Sequence, residues 1–194
     1  MEKFALYIRL GFEHISDFAG FDHILFLIAL CAVYRLVQWR QLLVLVTAFT
    51  VGHSITLALS ALGTLKIRSD VIEFLIPTTI LITALHNVIA RRSTDTSPKM
   101  GANYAMALFF GFIHGMGFSN FFRALMMGSD AIILPLLAFN IGIELGQLVV
   151  VASIFLIGFI FLNILRVAHR DWNVFISGAA AGVAVLLMSQ TKFW

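Results

Sequence analysis

Residues 11–31 read GFEHISDFAGFDHILFLIALC. The quartet Gly-Phe-acid-His occurs twice in this stretch, as Gly11-Phe12-Glu13-His14 and Gly20-Phe21-Asp22-His23, and the chain then turns into a hydrocarbon-like run. Histidines and carboxylates crowd the mouth of a segment that avoids water. The rest of the chain has the same character: of 194 residues, 60% are hydrophobic and only 12% charged, with a mean hydropathy of +0.97. A soluble domain carries roughly a quarter charged residues. This chain cannot cover itself with polar surface, so its solvent is the lipid bilayer and the expected class is an all-α integral membrane protein.

A membrane helix needs about 20 mainly apolar residues. Six stretches qualify, at about 21–38, 42–62, 70–90, 103–123, 131–163 and 173–190. The expected architecture is a bundle of about six transmembrane helices forming one transmembrane domain over residues 1–194. No polar stretch is long enough to fold alone; the longest, residues 91–103, reads as a loop. The fifth span is overlong and has to tilt, bend near Gly142 and Gly146, or begin as an interfacial segment. The sixth carries Gly178 and Gly182 four residues apart, a small-residue face suited to close helix packing.

The first twenty residues are too charged to span. Their apolar residues Phe4, Leu6, Ile8, Leu10 and Phe12 suit an interfacial or re-entrant segment. Bending at Gly11 and Gly20 would carry His14 back to the mouth of the bundle. The same residues lack an uninterrupted apolar core, so no cleavable signal is expected. Loops after spans one, three and five hold Arg35, Arg40, Arg91, Arg92, Lys99, Arg166 and Arg170, against Lys66, Arg68 and Arg123 after spans two and four. The positive-inside rule puts the first set in the cytoplasm and both termini outside the cytoplasmic membrane. A net charge of +3 rests on too few charges to suggest nucleic acid as a partner, and the composition leaves a homo-oligomer open. The single cysteine, Cys31, lies in an apolar run and reads as a packing residue.

Polar groups inside the membrane carry the functional signal, because a mid-membrane charge costs about 2.5–3.5 kcal/mol or more. Asp22 and His23 open the first span, His53 lies in the outer half of the second, Glu73 enters the third, and His114 sits in the fourth. In the fifth, Asn140, Glu144 and Gln147 follow an i, i+4, i+7 spacing that places them on one helical stripe. Thr50, His53 and Thr56 form a matching stripe on the second. All fall in one depth zone. A third quartet, Gly111-Phe112-Ile113-His114, stands without any longer repeat and reads as a local device.

Several imidazoles with one or two carboxylates in a low-dielectric pocket suit a divalent transition metal such as zinc, nickel, copper or iron. His14, Asp22, His23, His53, His114 and Glu144 are the candidate ligands, for one site or two adjacent ones. Thr50, Glu73, Asn140 and Gln147 are candidates for the surrounding shell or a pathway. Plainer readings stand beside these. Asp22 could cap its helix, and adjacent Asp22 and His23 should point about 100° apart, which leaves room for only one of them on an ion. His53 and His114 could be interhelical hydrogen-bonding residues. His86 and His169, at the other membrane face, read as structural.

These motifs, Gly20-Phe-Asp22-His23-Ile-Leu-Phe-Leu, Phe49-Thr-Val-Gly-His53-Ser-Ile-Thr-Leu, Phe110-Gly-Phe-Ile-His114-Gly-Met-Gly-Phe and Phe139-Asn-Ile-Gly-Ile-Glu144-Leu-Gly-Gln147, make the chain resemble the HupE/UreJ family of small bacterial membrane proteins. The resemblance covers nearly the whole chain. It implies a nickel-permease-like protein of the inner membrane, accessory to nickel enzymes, with the site at His14, Asp22, His23, His53, His114 and Glu144; with the donor types, this makes nickel or zinc the expected ion. Transport of a divalent ion is therefore the leading expectation. The alternatives are a membrane metalloenzyme activating water or oxygen against a lipid-like substrate, and a scaffold built on a structural metal. No His-Glu-x-x-His motif supports the enzyme.

Overall fold

The computed structural model describes residues 2–18, 20–65, 68–90, 100–126 and 132–191. Among them there is no strand; the elements are α1 (Glu2–Ser16), α2 (Asp22–Cys31), α3 (Trp39–Ala61), α4 (Ser69–Ala90), α5 (Met100–Met126), α6 (Ile133–Phe159) and α7 (His169–Gln190). In lipid every backbone polar group has to find its partner within the protein, which is why such a chain resolves into helices. Lys66, Arg91, Arg92 and Lys99, which entered the charge comparison, lie outside the described residues.

Among the described residues, five helical segments are long and apolar enough to cross a membrane: Leu36–Ala61, Ser69–Ile89, Gly101–Met126, Ile133–Ile164 and His169–Gln190. The first expected span differs. Only Asp22–Cys31 of residues 21–38 forms an α-helix, and ten residues rise about 15 Å, half of a hydrocarbon core of about 30 Å. A half-length helix ends where water cannot serve its last carbonyls. Two are taken by the backbone, Ala32 N–H to Ile28 O at 3.1 Å and Tyr34 N–H to Cys31 O at 3.0 Å. The Ala29 carbonyl is taken by a side chain from another helix, Asn87 Nδ2 on α4, at 2.6 Å.

Asn87 is itself held. Asn173 Nδ2 on α7 donates to the Asn87 carbonyl at 3.1 Å, and Ser177 Oγ bridges to Asn173 Oδ1 at 3.1 Å. All three side chains are buried. The cluster ties α2, α4 and α7 together, so Asn87 serves the fold. Replacing it with alanine strands the Ala29 carbonyl in a dry interior and is expected to cost about 1–3 kcal/mol. Thermal unfolding in detergent measures the loss, seen as a lower midpoint with the helix content unchanged.

Glycines set the remaining geometry. A Cβ on Gly11 would stand 2.0 Å from the Phe139 carbonyl oxygen, and one on Gly142 would stand 2.0 Å from that of Ile8. The α3–α5 pair repeats the arrangement, with Gly52 against Leu108 O at 2.2 Å and Gly111 against Phe49 O at 2.1 Å. Both pairs touch backbone to backbone, an approach that only glycine permits. The quartets at Gly11 and Gly111 thus do the same job, with glycine at a helix crossing and histidine one turn further on. Gly20 differs, having only Asp17 Oδ2 near, at 3.8 Å. Gly142 and Gly146, where a bend is one of three expectations for the overlong span, are where α1 docks. That span continues past Phe159 in a π-helical turn, Ile160–Ile164, closed by Leu165 N–H to Ile160 O at 2.9 Å.

Candidate metal centre

Four imidazoles meet in one place, three of them on helices of the glycine crossings and the fourth, His23, on α2. The ring centroids of His14 on α1 and His23 on α2 are 4.8 Å apart, His14 and His53 on α3 5.7 Å, His23 and His53 5.9 Å, and His23 and His114 on α5 5.2 Å. His53 and His114 have no exposed surface, and His23 is buried. His14 is half-buried and lines an open pocket of about 580 Å³ with Glu13, Asp17, Phe18, Phe118 and Phe121. Glu13 there is ion-paired with Arg9 at 2.6 Å. Aromatic rings wall the cluster: Phe118 lies 3.9 Å from His14, while Phe49 and Phe26 lie 5.1 and 5.2 Å from His114.

The unmet hydrogen-bonding capacity is concentrated on these rings. His14 Nε2, His23 Nε2, both nitrogens of His53 and His114 Nδ1 are buried without a partner. Buried polar atoms are nearly always paired, so four neighbouring rings with bare nitrogens form a donor set awaiting an acceptor. Donor atoms of His14, His23 and His53 lie within 4.8 Å of one another, and so do those of Asp22, His23 and His114. On one tetrahedral ion such donors stand about 3.4 Å apart, given bonds of about 2.0–2.1 Å. This donor set fits a divalent transition metal, and His23 belongs to both trios.

Asp22 and His23, expected to diverge, converge instead. Asp22 occupies the first turn of α2 without being its cap; Phe21 precedes the helix and makes no side-chain cap bond. The short carboxylate folds back on its neighbour, and Oδ1 accepts the His23 backbone N–H at 3.0 Å and lies 3.1 Å from Nδ1. With Nδ1–H held there, His23 presents Nε2. A carboxylate behind a ligating imidazole fixes its tautomer and raises its basicity.

Glu144 belongs to neither trio. Its carboxylate accepts from Thr47 Oγ1 at 2.6 Å and Thr50 Oγ1 at 2.7 Å, about two turns and one turn before His53 on α3. Thr50 also lies 2.6 Å from Gln147 Oε1 and 3.3 Å from the Val46 carbonyl. Its single proton serves three acceptors in turn. Gln147 Nε2 and Asn140 Oδ1 are buried without partners. Glu73 is exposed on α4. Thr79 on α4 also touches the cluster: its hydroxyl lies 2.9 Å from His114 Nε2. No spacing signal marks it, because α4 meets α5 through the tertiary fold.

The family model described as HupE / UreJ protein matches residues 1–194, the whole chain. No curated protein and no solved structure matches it.

Proposed function

Since the chain belongs to the HupE/UreJ family, a multi-pass membrane protein family associated with nickel handling, we propose that it binds a divalent transition-metal ion, nickel foremost, at the imidazole cluster and passes it across the bilayer. The observation that carries this reading is the convergence of unpartnered nitrogens from four helices beside an open pocket. In this reading the ion arrives through the pocket at His14 and is held by His23, His53 and His114 with Asp22. Glu144, braced by Thr47 and Thr50 nearer the start of α3, meets it next. The orientation follows Arg35, Arg40, Arg166 and Arg170, which flank one end of the bundle and face the cytoplasm.

An enzyme or a structural centre keeps its metal through purification; a carrier releases it each cycle. Metal content after dialysis, followed by nickel titration and flux into proteoliposomes, separates these cases. The expected result is little retained metal, saturable nickel binding and nickel flux. Glu144→Gln is expected to keep the binding affinity and lose most of the flux. Stoichiometric metal surviving dialysis, without flux, would replace transport by the metalloenzyme or scaffold reading. Absence of binding would remove the site.

A further inference from the structure

Thr79 stands at the centre of a countable set of protons. Its Oγ1 lies 2.7 Å from the Ile76 carbonyl oxygen and 2.9 Å from His114 Nε2, with all three residues buried. The hydroxyl has one proton. Given to Ile76, it leaves the oxygen free to accept Nε2–H of His114, making two hydrogen bonds and leaving Nδ1 as a bare lone pair. Given to His114, it makes one hydrogen bond and forces the ring proton onto Nδ1, where no partner exists. A buried N–H without an acceptor is the rarer and costlier defect.

The first arrangement therefore wins by a hydrogen bond and by the nature of what is left unmade. We infer that Thr79 is a positioning residue: it locks His114 in the Nε2–H tautomer, so that Nδ1 is offered as a donor to the trio with Asp22 and His23. The same logic holds for His23, where Asp22 takes Nδ1–H and leaves Nε2 as the bare nitrogen. Two neighbouring imidazoles are thus primed through opposite nitrogens. As a statement about metal affinity this rests on the metal reading above; as a statement about the proton on His114 it does not.

The test uses the full-length protein in detergent, labelled with ¹⁵N-histidine, with the His114 resonances assigned by their loss in His114→Ala. The wild type is expected to show Nε2 protonated and Nδ1 unprotonated. Thr79→Val, equal in shape but lacking the hydroxyl, is expected to lose that tautomer preference and to bind nickel about 10–100-fold more weakly, the usual penalty for removing an orienting partner. Thr79→Ser restores both. Nδ1–H in the wild type overturns the inference, as does a Thr79→Val protein with unchanged tautomer and affinity. If the tautomer depends on Thr79 as expected while wild-type protein binds no nickel, the proton assignment stands and the metal reading fails.

Discussion

Replacing His53 with leucine is expected to stabilise the metal-free protein while destroying its metal binding. His53 is fully buried and neither ring nitrogen has a partner. An unpaired buried polar group costs about 1–3 kcal/mol, so an apolar residue of similar size relieves that defect. The binding loss is set by metal chemistry. Structural zinc sites deliver about 10–16 kcal/mol from four ligands, so one ligand carries about 3 kcal/mol, or a hundredfold and more in affinity. Thermal unfolding without metal and calorimetric titration with nickel read the two effects separately. A purely structural histidine gives the opposite pattern, a lower melting midpoint with unaltered binding. Such a stability gain coupled to lost function is characteristic of sites kept for activity at the expense of the fold.

The second large effect is mechanical. Gly142→Ala places a methyl group 2.0 Å from the Ile8 carbonyl oxygen, and backbone cannot rotate aside as a side chain can. Helix α1 has to back away from α6, and His14 leaves with it. Overpacking of this kind costs about 1–3 kcal/mol, sometimes more. Gly178 and Gly182 on α7 provide the control, because a Cβ there meets nothing within 4 Å. Alanine at either is expected to leave stability unchanged or to raise it by about 0.5–1 kcal/mol through helix propensity. Melting curves of the three variants, with nickel titrations beside them, are expected to show Gly142→Ala alone losing both stability and affinity. Equal behaviour at positions 142 and 178 would refute the close crossing.

Much of this was readable in the residues. The apolar runs announce helices in lipid, and His23, His53 and His114 stand out because an imidazole in such a run needs a reason. The quartets mark Gly11 and Gly111, although only the assembled bundle shows that each is a helix crossing. Three things were not readable. The stop of α2 at Cys31 depends on Asn87, fifty-eight positions from the carbonyl it caps, and hydropathy continues past the break. Asp22 and His23 converge because a first-turn carboxylate can fold back, which the 100° spacing of helical positions does not convey. Thr79 looks like any threonine of a membrane helix until α5 is packed beside it.

The half-length α2 carries one more consequence. Aligned peptide dipoles give a helix N-terminus about half a unit of positive charge, and α2 points that pole at the cluster, with Asp22 and His23 in its first turn. A dication seated there would face like charge from the backbone itself, which the carboxylates of Asp22 and, beside Gly20, Asp17 oppose. The backbone of α2 thus works against tight retention of a cation, while its first-turn carboxylate works for it.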